Sequence, residues 1–260
     1  MYVIGLVGPF GSGCSYVASK LKEVHGYEVI SLSDILRTEY RNENSRRREP
    51  GRKDLQDYGN KIRKEKGSGY LAESAIAQIE ADKSKKYVVD SIRNPQEILL
   101  LRKAFAGFFL FGVFAEPDVR WNRVKGKYSN DRRTFDEDDS RDSGEKFDYG
   151  QQVTDSFRMS DIIVLNNENI IPNNENEKIF LTKLKHNVDL IEGNEAFQPT
   201  YIETNMAIAY ASSMRSSCLK RKVGATIVDV SGDVFSSGYN EVPAANDTCK
   251  REYGMCYRDK

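Results

Sequence analysis

The chain has 260 residues, with 39 Lys plus Arg balanced by 39 Asp plus Glu, so no global field draws it to nucleic acid or to a membrane surface. No apolar run approaches the roughly 20 residues that span a bilayer, and no basic leader precedes the first apolar segment. Four widely spaced cysteines fit reduced thiols or metal ligands in a cytoplasmic protein, and the length suits one large or two modest domains.

The first element is an apolar, β-branched run, Tyr2-Val3-Ile4-Gly5-Leu6-Val7, short enough to be a buried strand. Gly8-Pro9-Phe10-Gly11-Ser12-Gly13-Cys14-Ser15 follows, and then Val17, Ala18 and Leu21 recur on one helical face. Strand, glycine-rich turn and helix form the setting of a phosphate-binding loop, in which backbone amides and the helix N-terminus face an anion. Gly8, Gly11, Ser12, Gly13, Cys14 and Ser15 are the candidate phosphate-binding positions. The spacing matches G-x-x-x-x-G-K-[ST] except that Cys14 stands at the lysine, while Ser15 keeps the hydroxyl of a magnesium ligand. A glycine-rich turn that binds nothing is the alternative reading.

Tyr27 to Leu32 reads as a second strand, and Ser33-Asp34 as the cap of a helix starting at Ile35. Arg41 to Lys53 is a basic loop around Pro50-Gly51 carrying Arg46, Arg47, Arg48 and Arg52, either solvated or folded over phosphates. Asp54 to Glu80 is helical, broken in two at Gly67-Ser68-Gly69. Tyr87-Val88-Val89-Asp90 is a buried strand ending in a carboxylate suited to orienting hydrated Mg²⁺, or to capping alone. Pro95 opens the next helix, and Arg93 before it is a candidate phosphate ligand.

Phe108 to Phe114 is apolar throughout, as expected of a central parallel strand covered on both faces. A helix is expected over Asp118 to Lys125. The stretch Lys125 to Asp148, rich in both charge signs, reads as a mobile lid or a solvated loop, with the run Asp136-Glu137-Asp138-Asp139 unusual for a phosphate clamp. A helix over Gln151 to Met159, a strand over Asp161 to Asn166, an Asn-rich loop and a helix over Ile179 to Ile191 complete an alternating α/β pattern. That pattern specifies a doubly wound parallel sheet over residues 1–192, with a linker at 193–200.

From Tyr201 to Lys260 the texture changes. A helix rich in small residues, from Met206 to Met214, precedes two strands, Val223 to Val228 and Val234 to Asn240, joined by a turn. A helix on a hairpin is too small to be stable alone. Cys218 reads as a small buried hydrophobe, and Cys249 and Cys256 as free loop thiols.

The loop, the run Asp90-Ser91-Ile92-Arg93-Asn94-Pro95 and the element order resemble the P-loop nucleoside monophosphate kinase group, including dephospho-coenzyme A kinase-like members. The resemblance implies that Arg37, on the helix after the second strand, is a phosphate ligand, with an exposed helix charge as the alternative. It also implies Mg²⁺ with a nucleotide, held through Ser15 and Asp90. The second part resembles the opening of deoxycytidylate deaminases through Arg215-Ser216-Ser217-Cys218, Val223-Gly224-Ala225-Thr226-Ile227-Val228 and Ser236-Ser237-Gly238-Tyr239-Asn240. That likeness implies a substrate-sugar contact at Asn240 and a structural zinc at Cys218 and Cys249.

The combined order resembles bacterial anti-phage deoxycytidine nucleotide deaminases, implying hydrolysis of dCMP or dCTP under the control of a P-loop domain. The sequence contains neither H-x-E nor C-x-E nor P-C-x-x-C, and its two histidines, His25 and His186, lie outside such motifs. No catalytic zinc residue is therefore assigned. A P-loop nucleotide or cofactor kinase, with arginines in place of the lysine, and a non-catalytic nucleotide-binding module are the competing readings. The expected partners are nucleotides (dCTP or dCMP, ATP or another dNTP), in a homo-oligomer.

Overall fold

The structure, a computed structural model, describes residues 1–43, 50–144, 150–167, 174–194, 197–243 and 246–257. Arg46, Arg47 and Arg48 of the basic loop lie outside the described residues. Residues 1–195 and 196–260 form two separate compact units.

In the first unit, β1 (Val3–Val7), β2 (Tyr27–Ser31), β3 (Lys86–Ile92), β4 (Phe108–Phe114) and β5 (Ile162–Leu165) form a parallel sheet in the order β2-β3-β1-β4-β5. Successive side chains point to opposite faces of a strand, so each strand feeds two cores. Val3 and Val7 of β1, Tyr87 and Val89 of β3, and Phe108 and Leu110 of β4 enter one core. Ile4, Leu6, Val88, Phe111 and Val113 enter the other. Helices cover both faces, which is why β1 and β4 are apolar at almost every position. Gly5 is needed at the centre, because a Cβ there would come within 2.6 Å of the Phe108 ring.

The helix α1 (Cys14–His25) buries Val17, Ala18 and Leu21 against the second core, joined there by α9 (Glu175–Glu192). Across the sheet lie α2 (Leu32–Glu43), α3 (Arg52–Lys66), α4 (Tyr70–Ala81) and α5 (Pro95–Ala104). The expected doubly wound α/β architecture is present. The start of α2 lies at Leu32, before Ile35, because Ser31 Oγ receives the Asp34 amide at 3.3 Å and caps the helix from the strand end.

After α6 (Pro117–Val124), the charged stretch departs from the expected loop: a 3-10 turn at Lys125–Tyr128 leads into α7 (Arg132–Ser143). Two features make this helix. Asp131 caps it by accepting the Arg133 and Thr134 amides, and Arg132–Asp136 and Arg133–Glu137 form i,i+4 ion pairs at 3.0 Å. Phe135 packs into Trp121 and Tyr128 and is 1% exposed, supplying the apolar anchor that a charge-rich composition conceals. The short α8 (Val153–Arg158) precedes β5, and α9 begins four residues before Ile179, capped by Asn174.

In the second unit, α10 (Tyr201–Ser213) packs on an antiparallel hairpin of β6 (Gly224–Val228) and β7 (Val234–Tyr239), followed by α11 (Cys249–Tyr253). Asn205, Ala209 and Ser213 form the inward face of α10. The approach at Gly224 is so close that a Cβ would overlap the Ala209 carbonyl oxygen. Small residues in α10 thus serve helix-on-strand packing.

The α5 N-terminus depends on one buried ion pair. Glu97 accepts the Arg93 and Asn94 amides through Oε2 and Arg63 Nε and Nη2 through Oε1, at 2.8 to 3.1 Å. Both side chains are almost completely buried, at 2% for Arg63 and 0% for Glu97. Removing the carboxylate strands a guanidinium in the core, so Glu97→Ala is expected to destabilise the protein by about 3–5 kcal/mol. Urea unfolding followed by circular dichroism measures it. A loss below about 1 kcal/mol would show that Arg63 finds another partner or water.

Candidate functional site

The residues Gly8 to Ser15 join the C-terminal end of β1 to α1. Gly11 and Gly13 have φ of 83° and 101°, left-handed values that a side chain resists, and they let the loop curl. Gly8 has no room for a side chain, since a Cβ would lie 2.5 Å from both Ser12 Oγ and the Val113 carbonyl. No side chain caps the N-terminus of α1, leaving its first-turn amides facing the loop interior.

The outward side of the loop is clamped by its carbonyls. Arg120 Nη1 donates to the Phe10 carbonyl at 3.1 Å, and Asn166 Nδ2 to the Ser12 carbonyl at 2.7 Å. Arg123 Nη1 lies within 3.4 Å of the Gly11 and Ser12 carbonyls, and its Nη2 donates to the Asn166 carbonyl at 2.8 Å. Arg120 is itself held by Asp139 through two bonds of 2.6 and 2.9 Å. With these carbonyls occupied on one side, the amides are directed to the other.

The neighbouring strand β3 ends beside this loop. Ser15 Oγ donates to Asp90 Oδ2 at 2.9 Å across 75 residues of sequence, and the Ser91 amide donates to Asp90 Oδ1 at 2.7 Å. Asp90 is 4% exposed, and burial pushes its carboxyl above the ordinary value against the opposing effect of Ser15, the Ser91 amide and Arg93. A hydroxyl and a buried carboxylate form a hard oxygen donor set that suits Mg²⁺. Ser91 itself adopts φ 68°, a left-handed conformation that costs a non-glycine residue on the order of 1–3 kcal/mol. That strain, with a register irregularity between β1 and β3, turns the chain so that Arg93 enters the site.

Loop and strand end open on one cavity of about 580 Å³. Its described lining includes six cationic side chains, Arg37, Arg52, Arg63, Arg93, Arg123 and Lys127, and no carboxylate. Leu32, Leu36, Leu55, Leu71 and Ile92 supply apolar wall. Three buried polar atoms of lining residues, Arg52 Nε, Gln56 Oε1 and Arg63 Nη1, have no hydrogen-bond partner among the described residues, as expected where a ligand or water completes the set.

The structure thus brings together Gly8, Gly11, Ser12, Gly13, Cys14, Ser15, Arg37 and Arg93 around one cavity, with Asp90 directly behind Ser15. Arg37 sits on its wall, bonded to Asp34 of the same helix at 2.7 Å. Sequence reading placed Arg52 in a basic loop, solvated or folded over phosphates, whereas it opens α3 and lines the cavity; Gln56, Arg63, Arg123 and Asp142 were left unassigned. A signal existed for Gln56 and Arg63, two polar residues on the face of α3 that also buries Tyr58 and Ile62. Asp142 gives none, because it is one acid among many in its stretch.

The second unit shows a different outcome. Asn240 Oδ1 accepts the Val223 amide at 2.7 Å and Nδ2 donates to the Arg221 carbonyl at 2.8 Å, so this amide closes the base of the hairpin. Cys218 Sγ accepts the Arg221 amide at 3.4 Å within a bend, and Cys249 occupies the first turn of α11, after the Thr248 cap. Among the described residues, no group of three or more His, Cys, Asp or Glu side chains could hold a metal ion. The zinc expectation for Cys218 and Cys249 therefore has no support from the described structure, since a structural site needs four ligands.

An AAA domain family model matches residues 7–142, from the last residue of β1 into α7. A UPF0200 protein of Methanothermobacter thermautotrophicus is 30% identical over 185 residues, covering 71% of this chain and 91% of that protein. The chain belongs to the AAA domain family, alongside the UPF0200 proteins. The matched segment of this AAA domain protein contains the phosphate loop, Asp90, Arg93 and Asp142. A deoxycytidylate deaminase of Schizosaccharomyces pombe is 26% identical over 263 residues, covering 99% of this chain and 71% of that enzyme. Among solved structures, an APS kinase of Mycobacterium tuberculosis is similar at 18% identity and TM-score 0.43, covering 74% of this chain and 97% of that one. A shikimate kinase of Acinetobacter baumannii is similar at 12% identity and TM-score 0.41, covering 76% and 96%.

Cys14 sharpens the difference from a lysine-bearing loop. Burial, reinforced by the Asp90 carboxylate, pushes its thiol up to about 12 against the pull of Ser12 and Arg93. The side chain is therefore a neutral thiol near pH 8, and its thiolate fraction lies on the order of 10³-fold below that of a free cysteine. Iodoacetamide labelling at pH 8, read by peptide mass spectrometry, should modify Cys14 far more slowly in the folded protein than in urea. Equal rates in both states would show that the thiol is neither buried nor raised.

Proposed function

We propose that residues 1–192 form a P-loop nucleotide-binding module of the kinase-like type, which binds the phosphates of a magnesium-bound nucleotide between the loop and the end of β3. The observation that carries this reading is the cavity wall: an uncapped phosphate loop and six cations, without a carboxylate in the described lining. Such a wall attracts a polyanion and fixes its oxygens through directed N–H groups. Ser15 and Asp90 would hold the ion, which supplies charge neutralisation to the phosphates when bound. The apolar wall from α2, α3 and α4 leaves room beside the phosphates for a second, less polar group, as a kinase-like acceptor requires.

A second reading is favoured by the likeness to a deoxycytidylate deaminase over nearly the whole chain. In it the module senses a nucleotide and governs a deaminase to which residues 201–260 contribute. An anti-phage role draws no support from these relatives. The two readings part on ligand choice: a sensor of deoxycytidine nucleotides prefers dCTP or dCMP, whereas a kinase-like module takes ATP.

Isothermal titration of the full chain with ATP, dCTP and dCMP, with and without Mg²⁺, tests both. We expect Mg²⁺-dependent binding of a triphosphate, weakened about tenfold or more by Ser15→Ala or Asp90→Asn, equivalent to ~1.4 kcal/mol. Acidification should release the metal-dependent part at a higher pH than an ordinary aspartate of pKa about 3.9 would, because burial raises Asp90 and only the carboxylate binds the ion. Absence of triphosphate binding at moderate salt would overturn the module reading.

A further inference from the structure

We propose that Arg52 and Arg93, gathered and oriented by Asp142, form a two-guanidinium clamp that supplies the phosphate-directed charge missing from the loop at Cys14. The proposal rests on the reading of the cavity as a nucleotide site and names the residues that make its loop serviceable. A lysine at the seventh position of such a loop reaches the outer phosphates. The neutral thiol of Cys14 cannot.

Of the four other cations of the wall, Lys127 has its ammonium 5.8 Å from the centre of the Phe10 ring, and the other three are bonded to described residues. Arg123 is bonded to the carbonyls of Gly11, Ser12 and Asn166 on the outer side of the loop. Arg63 is bound through Nε and Nη2 to Glu97, and Arg37 to Asp34. Arg52 and Arg93 stand at the loop itself. The Arg52 guanidinium lies 3.7 Å from the centre of the Phe10 ring, and Phe10 is a loop residue. Arg93 follows the strand end that carries Asp90, and its charge acts on both Cys14 and Asp90.

Their hydrogen bonds are laid out so that part of each guanidinium is kept for a ligand. Arg93 uses Nη1 for Asp142 Oδ2 at 2.8 Å and for Gln151 Oε1 at 2.9 Å. Arg52 uses Nη2 for the same Asp142 oxygen, and its Nε lies 3.4 Å from Asp138. No described residue takes Arg93 Nε and Nη2 or Arg52 Nη1, and both side chains line the cavity. Each guanidinium has five N–H donors in a rigid fork, a geometry that matches phosphate oxygens.

Asp142 makes the arrangement tolerable. Two guanidiniums converging on one point repel each other, and a carboxylate shared between them cancels the repulsion. Asp142 is 1% exposed and also accepts Gln56 Nε2 at 2.7 Å, so its position is set by α3 and α7 together. This accounts for the acid-rich composition of α7, in which Asp138 and Asp142 face Arg52 while Asp139 holds Arg120 on the loop carbonyls. Asp142 is thus a positioning residue, acting on the phosphate through the two arginines.

The experiment is titration of the full chain with Mg²⁺-ATP across seven variants: Arg52→Gln, Arg93→Gln, their double, that double with Cys14→Lys, Ser15→Ala with and without Cys14→Lys, and Asp142→Asn. Arg52→Gln and Arg93→Gln should each weaken binding about tenfold. Cys14→Lys placed in the Arg52→Gln/Arg93→Gln background should restore most of the loss, and it should not rescue Ser15→Ala. The sign for Asp142→Asn is the sharpest readout. Removing a negative charge beside an anion site tightens binding if only through-space electrostatics operates, whereas loss of positioning weakens it. Tighter binding by Asp142→Asn, wild-type affinity in the arginine variants, or failure of the lysine to restore binding would each overturn the clamp. If an arginine variant does not fold, the sign for Asp142→Asn decides alone. A wild-type chain that binds no nucleotide defeats the module reading itself.

Discussion

The site depends on the adjacency of β1 and β3 in a parallel sheet. Strands that run side by side in one direction end side by side, so the loop after β1 and the turn after β3 share one edge of the sheet. The hydrogen bond from Ser15 to Asp90 records that adjacency. Everything that follows is built outward from it: the cations of α2, α3 and the β3–α5 turn on one side, and the clamped carbonyls of the loop on the other. The packing that holds β1 in the centre is tight enough to require glycine at position 5, between Phe108 and Ile92.

Charge in this molecule is arranged in layers. The innermost layer is the cationic cavity wall, and behind it lie carboxylates that face the same cations from the rear: Asp142 and Asp138 behind Arg52, Asp142 behind Arg93, Glu97 behind Arg63. A buried cation without such a partner would be costly, and a cation wholly neutralised by one would be of little use to a ligand. Sharing one carboxylate between two guanidiniums, and leaving donors of each unspent, satisfies both demands. The overall neutrality of the chain therefore coexists with a strongly basic cavity.

The two units differ in how well their residues account for function. In the first, backbone strain at Ser91, unpartnered buried atoms at Gln56 and Arg63 and an uncapped helix start converge on the same cavity. In the second, the side chains singled out by family likeness are engaged in local structure. The Asn240 amide bridges the base of a hairpin, and Cys218 stabilises a bend. The likeness to a deaminase over the whole chain is thus a relation of sequence, while the chemistry visible in the described residues belongs to the phosphate loop.

The sequence by itself determined the alternating α/β architecture and the glycine-rich loop, and it offered Ser15 and a strand-end acid as separate candidates. Those signals are local: a β-branched run, glycines at fixed offsets, an acid closing an apolar strand. It left α7 illegible, since a helix held by i,i+4 ion pairs and one buried phenylalanine has the composition of a solvated loop. Tertiary structure alone decided that Arg63, Arg123 and Lys127 join Arg37, Arg52 and Arg93 on the cavity wall, and which carboxylates stand behind them. Arg52 and Arg93 meet at Asp142 only because α3, the β3–α5 turn and α7 converge in space, and no spacing in the chain encodes a meeting between residues 41, 49 and 90 positions apart.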